Sequence, residues 1–159
     1  MTIAIRRAGR DDVSTILRFI RELAAYEREP DAVEATEQML EAALFGAAPA
    51  AEVLMAERDG APIGFALFFH TFSTWTGRRG LWLEDLYVTP EARGSGAGAA
   101  LLKALAAIAI DRDCPRLEWT VLDWNTPAIE FYRAKGARPQ DEWTTQRVTG
   151  AALLALAGR

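Results

Sequence analysis

The chain carries one cysteine, Cys114, and one histidine, His70. A single thiol cannot close an internal disulfide, which points to a reducing cytoplasm. So few soft ligands also argue against a metal, since a zinc cluster needs several Cys or His. A basic surplus is missing too: 18 Lys and Arg stand against 22 Asp and Glu, a formal net charge of −4. With no basic stripe to neutralise phosphates, a nucleic-acid partner is disfavoured. The mild acidic balance suits cationic substrates, although it is also ordinary. No apolar run approaches the roughly 20 residues of a membrane span, so no membrane partner is expected. The start, from Met1 to Asp12, lacks the apolar core of a signal peptide.

What remains is an ordinary globular composition. The chain has 159 residues, half of them apolar and a quarter charged, so one domain spanning residues 1–159 is expected. Ile3 to Arg7 alternates as a first strand. Asp11 or Asp12 can cap a helix reaching about Tyr26, with Val13, Ile16, Leu17, Ile20, Leu23 and Ala24 on one face. Thr36 caps a shorter helix through Leu44. Val53 to Glu57, the turn Asp59-Gly60, and Ile63 to Phe69 read as a hairpin. Its second strand is apolar throughout and should be covered on both faces. His70 ends that strand as a structural hydrogen-bonder, and Thr71 to Gly80 is a loop. Further on, Leu117 to Leu122 is a strand. Thr126 is the expected N-cap of a helix from Pro127 to Lys135, closed by Gly136. Trp143 to Val148 reads as a last strand, and Gly150 to Ala157 as a terminal helix.

The stretch from Leu81 to Leu102 organises the rest: a strand to Val88, a stop at Thr89-Pro90, a glycine-rich loop, then a helix from Ala99 to Ile110. A glycine loop opening a helix gathers N–H donors and the positive dipole end at one spot, which suits a pyrophosphate. A P-loop would close on Gly-Lys-Ser/Thr, and Gly98-Ala99-Ala100 lacks it. Gly94-x-Gly96-x-x-Ala99 meets the dinucleotide pattern formally, but the loop does not follow its strand directly. A solvated glycine turn would cost chain entropy with nothing gained.

Arg93-x-x-Gly96-x-Gly98 resembles the acetyl-CoA loop of the GNAT N-acetyltransferases, in the same strand–turn–loop–helix setting. Asn125-x-Pro127-x-x-x-Phe131-Tyr132-x-x-x-Gly136 resembles the downstream motif of that superfamily. The resemblance spans nearly the whole chain and is closest to the diamine (spermidine/spermine) acetyltransferase group, through Arg21-Glu22-Leu23-Ala24-x-Tyr26-Glu27, Gly64-Phe65-Ala66, Leu83-Glu84-Asp85 and Trp124-Asn125. Ser73-Thr74-Trp75-x-Gly77-Arg78 is similar to the thialysine-acetylating branch. The polyamine branch tends to carry an acidic residue where Ser73 sits.

The resemblance implies an α/β fold: a mixed, mostly antiparallel sheet flanked by helices, with a central splayed parallel strand pair. It also implies an acetyl-CoA-dependent transferase acting on a primary amine of a small molecule by direct transfer in a ternary complex. The enzyme would be a cytoplasmic homodimer using no metal. A polyamine or protein-amine acceptor, or an acetyl-CoA-binding regulator without turnover, stands as the alternative.

An alkyl ammonium near pKa 10.4 needs a base at neutral pH. Glu84, flanked by Trp82, Leu83, Leu86 and Val88, is the candidate, apolar neighbours favouring a raised pKa. Strand alternation would turn Asp85 to the opposite face. Tyr132 matches the family's acid toward the leaving thiolate. Cofactor contacts would come from the edge Leu86-Tyr87-Val88, from Arg93 with the amides of Gly94, Ser95, Gly96, Ala97 and Gly98, and from Asn125 and Tyr132. Tyr26, Glu27, Trp75 and Asp85 would hold the amine, pairing carboxylates with aromatic faces.

Overall fold

Five strands form one sheet in the computed structural model, which describes residues 2–159. Strands β1 (Ile3–Arg7), β2 (Glu52–Arg58), β3 (Ala61–Ser73), β4 (Arg78–Val88) and β5 (Leu117–Glu118) pair in that spatial order. All pairs are antiparallel except β4 with β5, which is parallel. The helices are α1 (Val13–Tyr26), α2 (Glu37–Phe45), α3 (Ala97–Asp111), α4 (Thr126–Ala134) and α5 (Gly150–Leu156). The chain divides into two compact units, Met1–Thr120 and Val121–Arg159.

In the first unit each face of the sheet takes its own helices. Val13, Ile16, Leu17 and Phe19 of α1 pack with Leu40 and Leu44 of α2 over Val53, Met55, Phe65 and Tyr87. The Phe19 ring meets those of Phe65 and Tyr87 at centroid distances of 5.8 and 5.6 Å. Helix α3 covers the opposite face and touches all five strands, with Leu101 and Leu105 fully buried. Each such side chain stabilises by about 1.5–3 kcal/mol. β3 is thus covered on both sides, as its continuous apolar run predicts. Gly64 leaves no room for a side chain between β3 and β4: a Cβ there would lie 2.5 Å from the Tyr87 carbonyl oxygen.

Several elements differ from the sequence reading. The expected loop over 71–80 is mostly strand, because Thr71↔Gly80, Phe72↔Arg79 and Ser73↔Arg78 extend the β3–β4 hairpin to a tip at Thr74–Gly77. The strand expected over 117–122 stops at Glu118, where its pairing with β4 ends. No strand forms over 143–148: a strand needs a ladder partner, and none pairs with this segment among the described residues. Helix α3 begins at Ala97 instead of Ala99.

The caps divide in the same way. Thr36 caps α2 as expected, its Oγ1 accepting from the Met39 amide at 3.2 Å. Asp12 occupies the cap position of α1 but makes no cap bond. Its carboxylate instead accepts two guanidinium bonds from Arg6, at 2.7 and 2.9 Å, and one from the Gly9 amide. A bidentate charged pair outweighs a single cap bond. At α4 the cap is Asn125, whose Oδ1 accepts from the Ala128 amide at 3.4 Å, so Thr126 is already helical.

The far end of α3 is tied down by charge. Arg112 donates to Glu52 at 2.8 Å, Arg7 donates to the same carboxylate at 2.7 Å, and the Arg112 guanidinium lies 5.9 Å from the Phe68 ring centroid. The Arg112 hydrogen bond, opposed by partial burial and aided by Arg7, holds the Glu52 carboxyl down to about 2. Because this folded value lies below the ordinary 4.5, the pair stabilises fully above about pH 4.5 and its contribution is lost as pH falls toward 2. Glu52→Gln should therefore flatten the acid limb of stability between those values, read as Tm against pH. An unchanged acid limb would show that the pair contributes nothing.

Candidate active site

The ladder between β3 and β4 is regular except at one residue. Leu83 pairs with Phe68 and Asp85 with Leu67, which leaves Glu84 opposite nothing. This is a β-bulge, and bulges re-aim side chains and bend the strand that carries them. Without it, Leu83 and Asp85 would share a face. With it, Leu83 sits opposite Phe68 on the α3 side, and Asp85 sits opposite Leu67, which packs against the α1 core. Glu84 shares the α1 side with Trp82, whose Nε1 donates to Glu84 Oε2 at 2.9 Å. The two carboxylates therefore stand on one face, and the alternation expected for them is broken.

Above that face α1 ends in Tyr26 and Glu27. Phe19 and Glu22 of the helix fix it to β4: the buried Tyr87 hydroxyl donates to Glu22 Oε2 at 2.8 Å. Burial and the Glu22 hydrogen bond push the Tyr87 phenol up to about 12, so it remains a donor at any physiological pH. Glu27, Glu84 and Asp85 act on one another electrostatically. Burial, followed by the charges of Glu84 and Glu27, pushes the Asp85 carboxyl up to about 6. Glu27 is also raised, by burial first and by Glu84 second. Glu84 itself is exposed, so the enclosure expected around it falls on Asp85. The bulge supplies the reason, since it turns Asp85 inward beneath the helix end.

Trp75 is not part of this group. It stands at the hairpin tip, 79 % exposed, with six residues of β4 between Arg78 and Asp85. That is on the order of 20 Å of strand. Extending the hairpin through residues read as loop is what carries the tryptophan away.

Beyond Val88 the chain makes a short turn at Pro90–Ala92 and enters the glycine loop. Gly94 and Gly96 have φ of 78 and 90°, and Gly96 caps α3 in the left-handed conformation that side chains resist. The Ser95 amide donates to the Ala92 carbonyl and the Ala97 amide to Ser95 Oγ. Two of the five expected donors are therefore engaged within the loop. The amides of Gly94, Gly96, Gly98 and Ala99 have no protein acceptor among the described residues. They point to an anion at the start of a 15-residue helix. Arg93, next to them, reaches back to Tyr26: its guanidinium carbon lies 5.1 Å from the ring centroid and its Nε donates to the Val88 carbonyl at 3.3 Å. β5 leaves β4 after Trp82, just ahead of the bulge. The side of β4 away from β3 thus has no ladder partner from Leu83 through Leu86, Tyr87 and Val88 among the described residues.

The second unit carries Asn125 and Tyr132. Asn125 is 9 % exposed and caps α4. Tyr132 lies in the last turn of α4 beside Phe131, ring centroids 5.5 Å apart, and its carbonyl accepts the amides of Lys135 and Ala137. Gly136, at φ 93°, ends the helix as expected.

A model of the acetyltransferase (GNAT) family matches residues 16–137. The chain belongs to the GNAT acetyltransferase family. The acetyltransferase is 41% identical to a thialysine N-epsilon-acetyltransferase of Sus scrofa, over 99% of each chain. It is 37% identical to a spermidine/spermine N(1)-acetyltransferase-like protein 1 of Homo sapiens, over 96% of this chain and 23% of that protein. Among solved structures it superposes on an integron cassette protein from V. cholerae with TM-score 0.82 and 32% identity, over 100% of this chain and 99% of the other. The mixed sheet with its parallel β4–β5 pair is the fold the resemblance implies. The family's acetyl donor is acetyl-CoA.

Sequence reasoning missed three features of the acetyltransferase: the bulge, the Glu22–Tyr87 hydrogen bond and the Arg93–Tyr26 stack. Adjacent carboxylates inside an apolar strand are the one trace of the bulge. The other two are long-range contacts with no local signal. The raised Asp85 carboxyl has a measurable sign. Folded protein holds that proton more tightly than the unfolded chain between about pH 4 and pH 6, so its ionisation lowers stability as pH rises through that window. Asp85→Asn should be more stable than the parent above pH 6, by about 1–2 kcal/mol. The two should converge below pH 4 in thermal unfolding. A variant less stable at pH 8 would contradict the enclosure.

Proposed function

We propose that the acetyltransferase moves the acetyl group of acetyl-CoA onto a side-chain-like primary amine of a small molecule, thialysine or a close lysine analogue. The carrying observation is the enclosed Asp85 beside Glu84 under the end of α1, on a chain 41% identical to a thialysine N-epsilon-acetyltransferase over its whole length. The amides of the loop at Gly94, Gly96 and Gly98, with Arg93, hold the pyrophosphate. The unpaired side of β4 at Leu86, Tyr87 and Val88, together with Asn125, meets the pantetheine.

Tyr26, Glu27 and Asp85 receive the acceptor as its ammonium, balancing a carboxylate pair that is costly to ionise together. The Glu84–Asp85 pair then takes the ammonium proton. Asp85, at about 6, is the better matched base near neutral pH, and Glu84 is the exposed end of the relay to solvent. The neutral nitrogen attacks the thioester carbonyl, the carbon–sulfur bond breaks, and the Tyr132 phenol gives its proton to the thiolate. No acyl-enzyme forms and no metal takes part. Cys114 is buried and carries no acetyl group. The protein works as a cytoplasmic homodimer with no nucleic-acid or membrane partner. The exposed Leu153, Leu154 and Leu156 of α5 suit such an assembly.

Polyamine acceptors remain the second reading, favoured by the three coupled carboxylates of the acidic group. A thiol-release assay with thialysine, lysine, spermidine and diamines separates the two, thialysine being expected to give the highest kcat/KM. Silence across the panel would sink the proposal. Tyr132→Phe should lower kcat by about 10²-fold or more and leave CoA affinity unchanged, whereas equal loss of both would make Tyr132 structural. Asp85→Asn should remove the acid limb near pH 6 from the kcat/KM profile, which Glu84→Gln should retain.

A further inference from the structure

Glu22 stands one turn before the end of α1 and bonds in two directions. Its Oε1 accepts from Arg18 at 3.1 Å, and its Oε2 accepts from the Tyr87 hydroxyl of β4 at 2.8 Å. The two bonds are unequal. Arg18 and Glu22 are 54 and 35 % exposed, so water screens that pair and it adds little. The Tyr87 bond is part-buried, charge-assisted and joins two elements. Beyond Glu22 the helix stops abruptly. The Arg28 amide donates to the Ala25 carbonyl and the Glu29 amide to that of Ala24, while Arg28 takes φ of 65°. That is the left-handed stop in which glycine is usual, and a side chain there is strained. Glu27 is therefore held at a closed helix end.

Holding it there has an electrostatic cost. Asp85 feels Glu84 from its own strand and Glu27 from α1, and Glu27 feels Glu84 in turn. Like charges repel, so the end of α1 is pushed off the strand unless something ties it down. The Glu22–Tyr87 bond is such a tie. The other charges acting on the Tyr87 phenol are Arg93 and Glu91, from the turn and loop after β4. No charge besides Glu84 and Glu27 acts on Asp85 among the described residues. A change at Glu22 therefore reaches Asp85 only by moving Glu27 or by admitting water. We infer that Glu22 is a positioning residue for the acceptor side of the reaction: through the Tyr87 hydroxyl it holds the end of α1 on β4, so that Glu27 and Asp85 receive the amine as one group. This rests on the functional reading above and gives it a residue that touches neither substrate.

The test separates the tie from mere stability. Glu22→Ala removes the bond from one side, and Tyr87→Phe removes it from the other while keeping the ring that packs on Phe19. Glu22→Gln keeps an oxygen for the hydroxyl to reach. On the full chain, well below each variant's Tm, the Asp85 carboxyl would be titrated by carbon-13 NMR, and thialysine kinetics followed against pH by thiol release. Freeing the end of α1 weakens both causes that raise Asp85, its burial and the Glu27 charge. Its midpoint should fall by about half a pH unit or more in Glu22→Ala and in Tyr87→Phe, and the acid limb of kcat/KM should move down with it. Glu22→Ala should raise the thialysine KM about 3- to 10-fold and change kcat at pH 8 by less than about 2-fold. The double variant should be no worse than either single one, because both remove the same bond. Glu22→Gln should restore the parent midpoint and KM. A bond that is only structural would lower Tm and leave the midpoint and KM unmoved. That result, or a Gln variant as impaired as Glu22→Ala, overturns the inference even where thialysine is acetylated. A midpoint that falls in Glu22→Ala and recovers in Glu22→Gln, on a parent that acetylates no amine, would support the tie and overturn the functional reading alone.

Discussion

One residue too many in β4 sets the geometry of the first unit. A ladder has period two, so a single insertion transfers everything beyond it to the other face. At Glu84 that transfer moves Asp85 from the α3 side to the α1 side and brings Tyr87 under Phe19. The bend that accompanies a bulge also explains why β5 parts from β4 after Trp82. A carboxylate pair on one face and an unpaired strand edge are thus products of the same local irregularity.

The bulge acts only because its surroundings are stiff. Helix α1 is pinned on the strand by Phe19 packing and by the Glu22–Tyr87 hydrogen bond, so Glu27 at its end acts on the Asp85 that the bulge turns toward it. Helix α3 is pinned at its far end by Arg112 and Glu52, which holds its N-terminus and the glycine loop at the opposite end of the same rigid rod. Gly64 lets β3 close on β4 without a Cβ in the way. Charge is distributed accordingly: arginine–carboxylate pairs brace the sheet's other elements, while the carboxylates beneath α1 face one another. Like charges held close are poor for stability and useful for receiving a cation.

The two carboxylates, alike in the sequence, stand in different environments. Glu84 is wet and hydrogen-bonded to an indole. Asp85 is enclosed, and burial raises its carboxyl above the ordinary carboxylate range. Neighbouring groups of one kind acquire different chemistry from different environments, and environment is a property of packing. Composition and spacing cannot distinguish them.

By itself the sequence determined whatever depends on local periodicity or local backbone chemistry. The amphipathic face of α1, the Thr36 cap, the apolar β3, the left-handed glycines of the loop and the stop at Gly136 all follow from residues within a few positions of one another. The glycine loop and the Asn125–Gly136 motif were enough to mark the family. Tertiary structure decided what depends on pairing across the chain. Residues 71–73 became strand because they found Arg78, Arg79 and Gly80, and residues 143–148 did not become strand because they found no edge. Asp12 gave up its cap for Arg6, and Asp85 changed faces because Glu84 has no partner in β3. A strand's register, and with it the face a side chain presents, is a relation between two segments and has no value until both are in place.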